Sequence, residues 1–176
     1  MSREGFQPLA EPVSGAEFRR ACGRFPTGVA VATVAGASGE PHGLTVSSFT
    51  SVSLEPPLIL ICLGYAATEI EEFCRARYFG LCFLSEDQRA LSEHFARKGH
   101  HRFGSVAWNP GATGVPLVVG ALATFECAVH QRVPSGDHEI LVGEVLRTQV
   151  YEGSPLVHYA GRYRKLAEEI PELSKG

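Results

Sequence analysis

The chain lacks most of the features that announce a function at first reading. There is no basic excess: 16 Lys and Arg stand against 19 Asp and Glu, a formal net charge of -3. That balance recommends neither nucleic acid nor an anionic membrane as a partner. No apolar run reaches membrane-spanning length. The N-terminus has neither the basic start nor the apolar core of a secretory signal, so a cytoplasmic location is expected. The five cysteines (Cys22, Cys62, Cys74, Cys82, Cys127) are odd in number and form no Cys-x-x-Cys pair. A disulfide framework and a structural zinc are therefore not expected, and most of these thiols, set among apolar neighbours, read as small hydrophobes. His100 and His101 have no carboxylate or cysteine beside them, so no metal site is expected there either. A Gly-x-Gly-x-x-Gly fingerprint is also missing. Gly99-His100-His101-Arg102-Phe103-Gly104-Ser105 has the glycine spacing of a phosphate loop without its lysine, so any nicotinamide cofactor must be held outside a Rossmann domain.

What is present reads as one folded domain. The chain has 176 residues, 44% of them hydrophobic and 20% charged, enough for a proper core. Residues 1–13 read as a loose arm, 14–166 as the domain and 167–176 as a charged tail. Ser14 with Glu17 forms a capping box for a short helix reaching Arg24. Residues 29–34 are small and β-branched and predict a strand, 37–40 a turn, and the run that follows a return strand. Pro56 and Pro57 interrupt before an apolar strand over 58–63. A helix is expected over 68–77, with Ile70, Phe73 and Cys74 at helical spacing, then a buried strand over 79–84. Ser85 caps a second helix reaching about Arg97, with Leu91, His94 and Phe95 on one face. The polar stretch 98–114 is long for a loop, and loops of that length are usually functional. Three strands follow, over 121–132, 139–151 and 155–163. Strands outnumber helices without β-α alternation, which favours an antiparallel barrel with peripheral helices.

Residues 45–53 hold six Ser or Thr hydroxyls. Successive strand residues face opposite sides, so one face of this run could line a polar cavity. Hydroxyls and free backbone N–H groups suit a phosphate or the polar edge of a heteroaromatic ring. An ordinary exposed strand with a wet side would look the same.

The run Gly43-Leu44-Thr45-Val46-Ser47-Ser48-Phe49-Thr50-Ser51-Val52-Ser53-Leu54-Glu55-Pro56-Pro57 and the stretch Phe25-Pro26-Thr27-Gly28-Val29 resemble the signature of the short-chain flavin reductase family. So, in the family's order, do Ala121-Leu122-Ala123-Thr124-Phe125-Glu126-Cys127, Gly136-Asp137-His138-Glu139-Ile140, Gly143-Glu144-Val145, Leu156-Val157-His158-Tyr159 and Gly161-Arg162-Tyr163. The similarity runs from about residue 18 to 166. It implies a mainly β fold, the antiparallel FMN-binding split β-barrel with peripheral helices, assembled as a homodimer. It also implies hydride transfer from NADH or NADPH to FMN or FAD, with reduced flavin passed to a flavin-dependent monooxygenase partner. Carried over by position, Thr27 and Gly28 lie near the flavin ring. Thr45, Val46, Ser47 and Ser48 bind it through hydroxyl and backbone groups, and Ser53 and Leu54 continue along the cleft. Alternation keeps Ser47 and Ser48 off one face, so one of them contributes only backbone. Ser51 matches no family contact. Phe95, Arg102 and Phe103 resemble the family's Phe-Ala…Arg-Phe segment. Arg102 would pair with a flavin phosphate, or else close a surface ion pair. His138 would meet the nicotinamide, or serve as a turn histidine, and Phe95, together with Tyr163 of the closing segment, is carried over as a cofactor-binding residue too. No side-chain nucleophile is required, because the flavin carries the chemistry. One departure stands out: many relatives have a Ser where this chain has Ala67 before Thr68, which leaves FMN against FAD open. A non-catalytic flavin carrier or sensor, and an oxidase with its own organic substrate, are the alternatives.

Overall fold

The computed structural model describes residues 12–99 and 102–166. The expected arm falls almost wholly outside them, and the expected tail and the His100-His101 pair fall wholly outside. Along the chain the elements are α1 (Gly15–Cys22), β1 (Thr27–Gly28), β2 (Ala30–Ala35), β3 (Pro41–Val46), β4 (Thr50–Leu54), β5 (Pro57–Gly64), α2 (Ile70–Arg75), β6 (Tyr78–Phe83) and α3 (Arg89–Ala96). Then come β7 (Trp108–Pro110), β8 (Pro116–Val118), β9 (Ala123–Ser135), β10 (His138–Val150), β11 (Val157–Tyr159) and β12 (Arg162–Arg164). Seven strands form one antiparallel sheet in the order β3-β2-β6-β9-β10-β5-β4, and β1-β11-β12 and β7-β8 make two smaller sheets. This is the mainly β, antiparallel split-barrel architecture expected from the strand pattern and the resemblance.

Strand alternation divides the interior into two cores. Ala30, Ala32 and Val34 of β2 join Leu44, Ile61, Leu63, Phe79, Leu81 and Leu141 in the first, closed at one end by Phe73 of α2. Val29 and Val31 point the other way, with Cys82, Leu84 and Leu156, against Phe95 of α3, Phe103 and Val118. Thr33 is fully buried, and its hydroxyl donates to the Pro116 carbonyl at 2.6 Å. Of the cysteines only Cys82 and Cys127 are buried, and burial pushes each thiol up to about 12; Cys22 and Cys74 are exposed.

Several boundaries differ from expectation, each for a local reason. The Ser14–Glu17 capping box forms, but α1 ends at Cys22. α2 is six residues long, shorter than expected, and buries Phe73 alone, so Cys74 is not part of a helical apolar face. Ser85 and Gln88 form a capping box, yet what they start is a 3-10 turn, Glu86–Gln88, that hands over to α3. Within the long polar stretch lie a second 3-10 turn, Arg102–Ser105, and β7. The last expected strand is a hairpin, because Ala160 and Gly161 both take positive φ, 49° and 75°. Two such residues in succession make the tight turn whose twist suits paired strands, and the Ala160 N–H is held by the Gly23 carbonyl at 2.9 Å. Finally, the hydroxyl-rich run is not one strand: β3 stops at Val46 and β4 begins at Thr50.

Candidate functional site

The break in the hydroxyl-rich run shapes the site. Ser47 and Ser48 leave the sheet, and the Ser48 hydroxyl turns back onto β5, accepting from the Cys62 N–H at 2.8 Å and donating to the Cys62 carbonyl at 3.2 Å. β4 pairs with β5 only as far as Thr50↔Leu60, so Ser48 satisfies backbone groups of the next β5 residue facing that edge. Thr45 is committed in a similar way: its hydroxyl donates to the Ser92 carbonyl of α3 at 2.7 Å. Ser92 Oγ in turn bonds the Tyr163 hydroxyl at 2.9 Å, tying β12 to the same helix. Both hydroxyls that looked most available for a ligand hold strands and a helix in register. Ser48→Ala is expected to cost about 1–2 kcal/mol of stability, read as a lower urea midpoint, because it leaves the Cys62 backbone groups without a partner.

Between these elements lies a pocket of about 450 Å³. Its walls are residues 44–48, Cys62, Gly64, residues 66–69, residues 95–98 from the end of α3, and His138 at the start of β10. Gly64 and His138 are register partners, and a Cβ built on Gly64 would sit 3.4 Å from His138 Nε2, so the ring rests over a bare backbone. His138 Nδ1 bonds Asp137 Oδ1 at 2.7 Å, and this contact holds the Asp137 carboxyl below its usual range. Beneath the wall, Glu69 is 3% exposed and meets His42 Nδ1 at 2.5 Å. Arg97 and Lys98 are exposed cations on the same wall.

Of the sequence candidates, Thr45, Val46, Ser47, Ser48, Phe95 and His138 converge here, although they come from three separate parts of the chain. Ala67 and Thr68, the point of departure from the family pattern, line it too. Thr27 and Gly28 do not; they pair with His158 and Val157 of β11. Ser53 and the exposed Leu54 lie on β4, away from this lining, and Tyr163 is occupied with Ser92. Arg102 opens its 3-10 turn, and its side chain lies outside the described residues. Sequence reasoning missed Arg97, Lys98 and Glu69. Cations just past a helix would ordinarily be read as partners of its last carbonyls, which hides a ligand role.

A second cavity, about 670 Å³, lies between residues 109–112, residues 117–121 and the far end of β10. Its buried carboxylate, Glu126, already accepts from the Thr113 N–H and hydroxyl at 2.7 Å each. Burial raises its pKa, but those bonds outweigh that and hold Glu126 below the usual range. None of the sequence candidates lines this cavity. Among the described residues no cluster of His, Cys, Asp and Glu could hold a metal ion, and no helix is long and apolar enough to cross a membrane.

The smaller pocket carries groups that could hold a flavin nucleotide. Its volume lies in the range of small-molecule and cofactor pockets, and two cations, backbone groups and an imidazole converge on it. Comparison with known proteins shows the family. A model of the flavin reductase like domain matches residues 22–167. An NADH-dependent FAD reductase of Streptomyces globisporus is 40% identical over 172 residues, 93% of this chain and 92% of that one. The reductase component of a Rhodococcus opacus 4-nitrophenol 4-monooxygenase/4-nitrocatechol 2-monooxygenase is 37% identical, over 89% of this chain and 84% of that one. Among solved structures, the Streptomyces globisporus NADH:FAD oxidoreductase in complex with NAD and FAD fragments superposes with a TM-score of 0.84 at 39% identity, covering 92% of this chain and 100% of that one. The chain belongs to the flavin reductase-like domain family.

Proposed function

We propose that this chain is an NADH-dependent flavin reductase that holds FMN or FAD in the 450 Å³ pocket and supplies reduced flavin to a separate monooxygenase component. The observation that carries the reading is the convergence of residues 44–48, Phe95, His138 and the cations Arg97 and Lys98 on one pocket. The Streptomyces and Rhodococcus relatives, an NADH-dependent reductase and a monooxygenase reductase component, support both halves of it. A bound flavin supplies the hydride acceptor, and the protein supplies position and charge. Arg97 and Lys98 receive the phosphate, Arg97 through a planar fork and Lys98 as a point charge. The backbone of Ser47 and Ser48 faces the ring edge, since the Ser48 hydroxyl is already engaged. His138, with its proton placed on Nδ1 by Asp137, keeps Nε2 as an acceptor for the carboxamide N–H of a nicotinamide. We assign the domain to residues 14–166 and its working form to a homodimer. The exposed Phe18 of α1, Val52 and Leu54 of β4, and Leu146 and Val150 of β10 support the second assignment, since a partner copy would cover them. Through that partner Thr27, Gly28, Ser53, Leu54 and Tyr163 would approach a flavin that their own pocket does not bring to them.

Anaerobic mixing of the protein with FMN or FAD and NADH tests the activity. Bleaching of the flavin that needs NADH and nothing else is the expected result. Flavin that binds without being reduced by NADH or NADPH would leave a carrier or sensor. For His138→Ala the expected loss in kcat/KM for NADH is about ten-fold, roughly 1.4 kcal/mol, with a much smaller change in flavin affinity. Equal losses in both would make His138 a structural turn residue.

A further inference from the structure

Two residues before the pocket wall, His42 of β3 lies between two carboxylates. Its Nδ1 is 2.5 Å from Glu69 Oε2, and its buried Nε2 faces Glu40 Oε1 at 3.4 Å. Glu69 directly precedes α2 and lines the pocket; its backbone carbonyl accepts from the Glu72 and Phe73 N–H groups. Glu40 is anchored in its own turn, accepting from the Ser38 N–H at 3.1 Å and from the Ser38 hydroxyl. We propose that His42 is a positioning residue for the flavin pocket: its imidazolium holds the Glu69 carboxylate in the wall and offsets its charge, so that an anionic flavin binds more weakly once His42 loses its proton. This rests on the reading of the pocket as a flavin site.

The chemistry follows from donor counting. Only the imidazolium carries an N–H on both ring nitrogens. Either neutral tautomer sets a lone pair against a carboxylate, toward Glu69 in one case and toward Glu40 in the other. Among the described residues, the charged groups facing His42 are Glu40 from the β2–β3 turn and Glu69 and Glu72 from the α2 end, all negative. Its partner across β2 is Val34, which brings no charge. Burial works against the charged ring, but the bonds to Glu69 and Glu40 outweigh it and His42 titrates above the ordinary histidine range. The charged clamp is thus complete at low pH and is lost as pH rises through the raised value, which leaves the wall one charge more negative.

The test is FMN affinity measured by calorimetry from about pH 7 to about pH 9, above the second ionisation of the phosphate near about 6. The native protein is expected to lose about three- to ten-fold in affinity over that range, the scale of one added charge near an anion at a solvated site. His42→Gln should bind FMN with a flat profile. Glu40→Gln removes one carboxylate facing the ring and should move the fall to lower pH. Should His42→Gln fail to fold, the Glu40→Gln midpoint decides alone. Parallel profiles in native protein and variants, or an unmoved midpoint in Glu40→Gln, would overturn the inference and leave the flavin site standing. Absence of FMN binding at every pH would take down both.

Discussion

Replacing Arg97 and Lys98 together by Gln is expected to weaken FMN binding by about 30-fold or more while barely changing the affinity for riboflavin. Both cations lie on the pocket wall and both are exposed, so each contact with a phosphate falls well below the strength of a buried charged hydrogen bond. At about 1 kcal/mol each, the pair accounts for roughly 2 kcal/mol, or about 30-fold. Riboflavin has no phosphate and gives the comparison its meaning. Native affinity for FMN should also fall with added salt, and the double variant should show less of that fall. Equal losses for FMN and riboflavin would mean that these residues shape the pocket and do not bind its anion.

For the fold, the largest loss is expected from Phe79→Ala, about 3–5 kcal/mol in urea denaturation. Phe79 of β6 is fully buried in the first core, and no part of its ring can regain water without opening the sheet. The ring packs onto Gly143 of β10, where an added Cβ would overlap it and come within 2.9 Å of the Cys127 Cβ. Gly143→Ala should therefore cost about 1–3 kcal/mol by overpacking. Combined, the two changes should cost less than their sum, since the new methyl fills part of the space left by the ring. Strict additivity would show that ring and glycine are not coupled.

The strands were legible because their signal is local. The β-branched run of β2 and the apolar run of β5 fall close to where the residues place them. The two-sided burial of β2 explains why its pattern is continuous and not alternating: each face has its own core. The hydroxyl-rich run misled in one respect, since its polarity reported which residues bond but not to what. Ser48 serves the Cys62 backbone and Thr45 serves Ser92, partners 14 and 47 residues away. The pairing of His42 with Glu69 spans 27 residues and has no sequence pattern, so only the folded chain brings it to view. The pocket was half legible: the family motifs led to residues 45–48, Phe95 and His138, but the cations beside Phe95 came from the geometry.

The pairing of β5 with β10 has a consequence for how the chain acquires its function. β9 and β10 are joined by a tight turn and can meet early, whereas β5 must wait for a distant part of the chain to return to it. The Gly64–His138 contact that forms one wall of the pocket sits at the end of that long-range pairing. A chain in which β5 and β10 have not paired therefore lacks that wall of the pocket. A ligand that binds only the finished pocket would stabilise the folded chain by mass action.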